Sequence, residues 1–357
     1  MNDFLKNNII LEDMQDIYSR NDDYSWLNDS SILVTGAYGM LASYLVYFLI
    51  FLCENRYVAN LEILAQGRNI EKMKKRFGIY FDKDYFTYIS EDICNSLNID
   101  GNVDYIIHAA SLASPQYYGT NPVDVLKPNV LGTYNLLELA RDKRVKSFLY
   151  FSSGDVYGYL PPREQMYDET DYGYVDPINV RSCYGESKRM GETMCVSFFE
   201  QYSVPAKIVR IAHTYGPTLD LENDKRMFAE FVKNIVNNED IEMKSDGMAE
   251  RMLCYIADAT DAFLRILHLG ENGQAYNMYN NSNPIKIKDL AEMLVNLYPE
   301  KGLKVKYCIR DSKDSYVESP VVKSPVMSNE KLKILGWNLD YNVKNGFRKT
   351  IKSFIDS

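Results

Sequence analysis

Histidine and paired cysteine are what this chain has least of. Its three histidines, at 108, 213 and 268, and its six cysteines, at 53, 94, 183, 195, 254 and 308, lie far apart with no C-x-x-C pair. Those spacings exclude the common metal-binding motifs, so no metal is expected. Positive charge is also short, since 40 Lys and Arg against 49 Asp and Glu leave a formal net charge of -9. Without a general cationic field, neither nucleic acid nor anionic lipid is an expected partner. The basic cluster KMKKR at 72–76 reads as the solvated face of a helix. No basic-apolar-small leader opens the sequence, and the scattered thiols are expected to be free in a reducing cytoplasm. Internal repeats and low-complexity linkers are absent too.

One stretch lacks charge altogether. Residues 32–53, ILVTGAYGMLASYLVYFLIFLC, are long enough in principle to cross a bilayer. Gly36 and Gly39 break the run, and a short strand, a glycine turn and a buried helix give the same hydropathy. No membrane span is expected.

What is present is an ordinary globular composition, 46% hydrophobic and 25% charged over 357 residues, enough for a full core in one large domain or two lobes. Residues 1–29 form a polar prefix with a short amphipathic helix through Ile9, Ile10, Met14 and Ile17. Across 30–210 the β-rich runs SILVTG, LEILAQG, DYIIHAA, SFLYFSS and AKIVRIA alternate with segments of helical period. Such alternation predicts an α/β fold, a Rossmann-type doubly wound parallel sheet with helices on both faces. From 211 to 357 the pattern loosens into Pro-Gly turns and helices at 226–236 and 287–297. These residues are expected to form a smaller C-terminal substrate-binding lobe, partly interleaved with the first.

Gly36, Tyr38, Gly39, Met40 and Leu41 lie in TGAYGMLA, directly after the first strand and at the opening of a helix. Glycines let backbone approach a pyrophosphate, and a helix N-terminus offers free N–H groups and partial positive charge. At the end of the second strand, where an acidic residue would hold the ribose of NAD, the sequence reads AQGRN. Arg68 suits a 2′-phosphate, so the cofactor is read as NAD(P) with a mild lean to NADP.

In YGESK, Tyr184 and Lys188 stand four residues apart on one helix face, downstream of Ser153 at the end of a parallel strand. A phenol has a pKa of about 10, so a base near pH 7 needs roughly 3 units, or about 4 kcal/mol, of phenolate stabilisation. Lys188 and an oxidised nicotinamide are two positive charges able to supply it.

Taken together, TGAYGMLA, IIHAAS, SSGDVYG, YGESK and TYGP, in this order and at these spacings, resemble the extended short-chain dehydrogenase/reductases of the epimerase/dehydratase type that modify nucleotide-linked sugars. The resemblance covers 31 to about 353. It implies Tyr184 as the base removing a sugar hydroxyl proton, Lys188 on the cofactor ribose, and Ser153 on the reacting oxygen. It also places Asp92 and Ile93 at the adenine, Ala109, Ala110, Ser111 and Asn129 along the cofactor, and Ser114, His213 and Arg251 on the substrate. His213 replaces the family's usual asparagine before TYGP, and Ala42 its third glycine.

Which reaction follows depends on Gly154 and Asp155. In the 4,6-dehydratases two acidic residues follow the serine or threonine; Gly154 has no side chain, which disfavours dehydration. In the UDP-glucuronate decarboxylases the second position is glutamate, and Asp155 offers the same charge on a shorter stem. ASLASP, LKPNVLGT and DPINVRSCYGESKRMGETMC resemble that decarboxylase branch most closely. The leading expectation is therefore redox-neutral decarboxylation of an NDP-sugar for surface polysaccharide synthesis. A 4-epimerase, an NADPH-dependent keto-sugar reductase and a non-catalytic NAD(P)-binding sensor remain open. By resemblance, helices around 126–140 and 184–199 form a homodimer interface.

Overall fold

Seven parallel strands run through the centre of the molecule in a computed structural model that describes residues 4–21, 23–282, 284–308 and 325–356. They are β1 (Ser31–Thr35), β2 (Glu62–Gln66), β3 (Phe86–Ile89), β4 (Tyr105–His108), β5 (Ser147–Ser153), β6 (Ala206–Ile211) and an edge strand, Ala275–Met278. Their spatial order is edge, β6, β5, β4, β1, β2, β3. The chain fills one half of the sheet with β1 to β3, then crosses back to lay β4 beside β1 and continues outward. That reversal opens a crevice at the C-terminal ends of β1 and β4, where Thr35 pairs with His108. β1 and β4 are buried at every position, as expected of parallel strands covered on both faces.

The charge-free run divides as its glycines dictate. It makes β1, a turn, and the helix α2 (Met40–Glu54), in which residues 42–52 are all buried. α2 is apolar all round because the sheet covers one side while the N-terminal helix α1 (Asn8–Ser19) and the helix Ile256–Leu269 cover the other. Among the described residues no helix is long and apolar enough to cross a membrane.

The helices expected near 226–236 and 287–297 are Met227–Val236 and Ile287–Asn296. Two small strand pairs complete the rim above the crevice: His213–Tyr215 runs parallel to Leu253–Tyr255, and Glu250–Arg251 antiparallel to Ile285–Lys286. The first pair sets His213 beside Leu253, two residues from Arg251, although 38 positions separate His213 from Arg251.

Candidate active site

At the crevice, Gly36 has φ +63°, and a Cβ there would lie 2.8 Å from the Ala110 Cα. Only glycine satisfies both conditions. Gly39 ends the turn as the N-cap of α2 and supplies no side-chain cap, which leaves the first-turn N–H groups at Met40 and Leu41 facing outward for an anion. The Tyr38 ring lies against Gly67, where a Cβ would meet it at 2.7 Å. This cradle fits the pyrophosphate of a dinucleotide.

A buried strap holds the adjoining loop. Thr35 Oγ1 accepts hydrogen bonds from the amides of Ala109 and Ala110, both at 3.2 Å, and so gives its own proton to His108 Nδ1 at 3.0 Å. The other ring nitrogen then carries the hydrogen and donates to Thr133 Oγ1 at 3.0 Å. Burial, reinforced by the nearby Lys188 charge, pushes the His108 pKa down to about 3. The imidazole is thus a neutral, fixed spacer beneath the cofactor loop. Beside it, Ser111 Oγ is buried without a partner among the described residues.

At the adenosine end, Arg68 is not a free cation. Its guanidinium pairs with Asp92 at 3.0 Å, and the Asp92 carboxylate also accepts from the Cys94 amide at 2.9 Å. The following helix is capped by Asn69. Ile93 is buried against Gly132, and its carbonyl accepts from Asn135 at 3.0 Å. Asn129 is fully buried and donates to the Val125 carbonyl and Ser187 Oγ, both at 3.0 Å.

The reacting groups meet where β5 ends. Tyr184 and Lys188 project from the helix Cys183–Tyr202, and the Tyr184 hydroxyl is hydrogen-bonded to the Ser153 side chain. Ser153 Oγ accepts in turn from the Asp155 amide at 3.2 Å. Lys188 is buried; its Nζ donates to the Phe151 carbonyl at 2.6 Å and lies 5.7 Å from the centre of the Tyr184 ring. Burial pushes Lys188 down to about 7 despite the opposing charge of Glu192. Burial and then the Asp155 charge push the Tyr184 phenol up, while the Ser153 hydrogen bond and the Arg226 charge act the other way. Tyr118 stacks on Tyr184 with centroids 4.9 Å apart, fixing the ring plane.

Asp155 is reachable by solvent yet walled in at the foot of the cleft, and the lost hydration raises its carboxyl pKa against the pull of Lys188. His213 has the same setting: burial in the cleft, then the charges of Arg251 and Arg226, pushes its imidazole down to about 4. Arg226 precedes the helix Met227–Val236, pairs with Asp224 at 2.6 Å and brings Nη2 to 3.7 Å from Met40 Sδ. It thus touches the glycine-turn helix, and its charge reaches Tyr184. Ser114 is half-buried, and its carbonyl accepts from Tyr117 at the start of the short helix that carries Tyr118. Gly154 is closed to any side chain, since a Cβ would lie 1.9 Å from Tyr279 Oη.

The structure thus brings Ser153, Asp155, Tyr184 and Lys188 together, sets His213 within reach of the charges of Arg251 and Arg226, and pairs Arg68 with Asp92. Sequence reasoning missed His108, Tyr118, Arg226 and Tyr279. HAAS signals the first by position, whereas the other three sit in no recognised motif and reach the site only through folding. Among the described residues no group of three or more His, Cys, Asp or Glu is placed to hold a metal.

A doubly wound sheet with a glycine turn at its switch point, and a Ser-Tyr-Lys set at the end of the neighbouring strand, defines the extended short-chain dehydrogenase/reductase architecture. Residues 32–280 match the NAD dependent epimerase/dehydratase family, and the chain belongs to it. UDP-glucuronic acid decarboxylase 6 of Arabidopsis thaliana is 31% identical over 319 residues, covering 88% of this chain and 86% of that protein. UDP-glucuronic acid decarboxylase 1 of Xenopus tropicalis is 30% identical over 326 residues, covering 90% of this chain and 72% of that protein. The fold is shared with UDP-glucose 4-epimerase of Thermotoga maritima, solved with UDP-glucose, at a TM-score of 0.74 and 23% identity, covering 91% of this chain and 99% of that one. It is shared equally with UDP-glucuronic acid 4-epimerase of Bacillus cereus, solved with UDP-glucuronic acid and NAD, at 0.73 and 20%, again covering 91% and 99%.

Proposed function

We propose that the protein is a redox-neutral enzyme of nucleotide-linked sugars that removes the C6 carboxylate of an NDP-uronate, with UDP-glucuronate as the leading substrate. The observation that carries this reading is the charge of the cleft. The charges of Arg251 and Arg226 both reach His213, Arg226, itself paired with Asp224 at 2.6 Å, also reaches Tyr184, and burial raises the pKa of Asp155, the carboxyl beside Ser153. Such a cleft suits a diphosphate and a carboxylate in one ligand, and lacks the acid pair that dehydration needs.

The nicotinamide, when bound, supplies a hydride acceptor for sugar C4 and later a donor. Tyr184 takes the C4 hydroxyl proton while Ser153 holds the oxygen, and the charged form of Lys188 stabilises the phenolate. With C4 a ketone, the C5–C6 bond breaks heterolytically: CO2 leaves, its electron pair is held as an enolate, and C5 then takes up a proton. Burial raises the Asp155 carboxyl pKa, which lessens its repulsion of a carboxylate beside that centre. Tyr184 gives its proton back when the C4 hydroxyl is restored.

For the cofactor we favour NAD over NADP, because Asp92 already neutralises Arg68 and would oppose a 2′-phosphate. For assembly we propose a homodimer through the helix pair Thr133–Lys143 and Cys183–Tyr202, whose outer faces expose Tyr134, Met190 and Val196 next to Leu131. The test of the reaction is incubation with NAD and UDP-glucuronate. Release of CO2 and a UDP-pentose without net change in reduced nicotinamide is expected. A six-carbon product would make the enzyme a 4-epimerase, and net consumption of NADPH a reductase; either overturns the reading.

A further inference from the structure

Gly154 and Tyr279 belong to different segments but share one space. The register sets Ser153 of β5 beside Ile211 of β6, and Ile211 beside Met278 of the edge strand. One residue further on, Gly154 and Tyr279 come abreast at the C-terminal edge of the sheet, and the Tyr279 hydroxyl enters the volume where residue 154 would carry its side chain, 1.9 Å from the position of a Cβ. The ring itself is fixed. It is buried with Val156, Tyr157, Ala212 and Met252, and the Tyr279 carbonyl accepts from Asn329 Nδ2 at 3.0 Å. The hydroxyl, by contrast, has no hydrogen-bond partner among the described residues. It is not among the enclosed polar atoms left without a partner, such as Tyr150 Oη, so a fixed ring presents an oxygen that is open to a ligand.

We propose that Tyr279 is a substrate-contacting residue, whose hydroxyl stands in for the side chain absent at Gly154 and donates a hydrogen bond to the anionic C6 group of the sugar. This rests on the uronate reading given above. Ser153 and Tyr184 hold the C4 oxygen, C6 is two bonds from C4, and the donor beside residue 154 is the neighbour of the group that holds C4. Burial, then the neighbouring Tyr157 and Asp155, raise the Tyr279 phenol pKa, so it remains a donor at physiological pH. A neutral donor binds a carboxylate without needing a counter-charge, and hydrogen bonds to charged groups are the stronger kind.

The experiment is calorimetric binding of UDP-glucuronate, UDP-glucose and UDP to NAD-saturated protein, in a Tyr184→Phe background so that sugar is not consumed. Adding Tyr279→Phe, which keeps the ring, should weaken UDP-glucuronate by about tenfold or more, UDP-glucose by less, and UDP not at all. Equal loss for all three ligands, no loss for any, or no binding of UDP-glucuronate by the parent overturns the proposal. A second arm tests the shared space. Gly154→Ala should weaken UDP-glucuronate binding when Tyr279 is present but not in the Tyr279→Phe background, where the nearest ring atom lies 3.2 Å from the new Cβ. Equal effects in both backgrounds count against it. Whether the wild type releases CO2 is a separate measurement, so failure of the reaction and failure of the Tyr279 contact are told apart.

Discussion

Tyr184 is held as a phenol by its surroundings, and the chemistry proposed for it requires those surroundings to change. Burial and the Asp155 charge raise its pKa, and burial pushes Lys188 down to about 7. The phenolate and the ammonium stabilise each other, so the base forms only when both are in their ionised states with substrate in place. Tyr184→Phe removes the proton acceptor and leaves the ring stacked on Tyr118. Turnover should fall by at least about 10²-fold while cofactor binding is unchanged; residual activity above about one tenth would count against a general base. Asp155→Asn should act later. The proposed first hydride transfer does not involve Asp155, so in a single turnover with UDP-glucuronate reduced cofactor should accumulate in the variant and stay low in the wild type. An unchanged time course would return Asp155 to the role of a turn residue.

At the scale of elements, the five strands read from the sequence are the ones whose residues are buried on both faces. β3 and the edge strand escaped notice for physical reasons. FTYI is four residues long with only Phe86 buried, so it has no apolar run to read, and AYNM lies beyond the point where the alternating pattern ends. The glycine turn, β5 and the Tyr184 helix were legible because their chemistry is local in sequence. Tyr279 and Arg226 were not, because only sheet register and lobe packing bring them to the cleft.

The prefix helix α1 was legible as amphipathic, but its polar residues proved as informative as its apolar ones. Asp13 is fully buried and accepts hydrogen bonds from Tyr44 of α2 and Tyr255, with Lys349 at 3.0 Å. Just beyond α1, Arg20 pairs with the fully buried Asp258 at 2.8 Å. Two ion pairs thus tie the prefix to segments late in the chain, and the Tyr44 hydrogen bond ties it to the first helix of the dinucleotide half. Arg20→Ala would leave Asp258 buried without its cation, and the expected loss of stability is about 3–5 kcal/mol by chemical denaturation near pH 8. Burial already raises Asp258 to about 7. A carboxyl raised in the folded state binds its proton more tightly there than in the unfolded chain, so its penalty is present above pH 7 and fades as pH falls towards its unfolded value. The cost of Arg20→Ala should accordingly be smaller at pH 5 than at pH 8. A cost independent of pH would place the effect in packing rather than charge.

For the whole molecule, the cleft is assembled from both halves of the chain, and the helix Cys183–Tyr202 is where its two requirements meet. Its inner side presents Tyr184 and Lys188, while its outer side leaves Met190 49% exposed, and the helix packed against it and the turn before that helix leave Tyr134 49% and Leu131 50% exposed. Single exposed apolar residues are ordinary, but several on two packed helices fit the dimer surface proposed above. The Tyr134 ring meets Phe198 edge-on at 5.7 Å, so the two helices already form one rigid unit to which a second copy can add its own pair about a two-fold axis. Covering that face would hold the catalytic helix from behind, which links assembly to the precision of the Tyr184 and Ser153 pairing. The variant Leu131→Asp, Met190→Asp alters neither the sheet nor the cofactor cradle. It should shift the sedimentation of the protein from dimer to monomer with its circular dichroism unchanged, and turnover should fall by more than cofactor affinity does. A wild-type protein that sediments as a monomer, or a double variant that remains a dimer, would move the interface elsewhere.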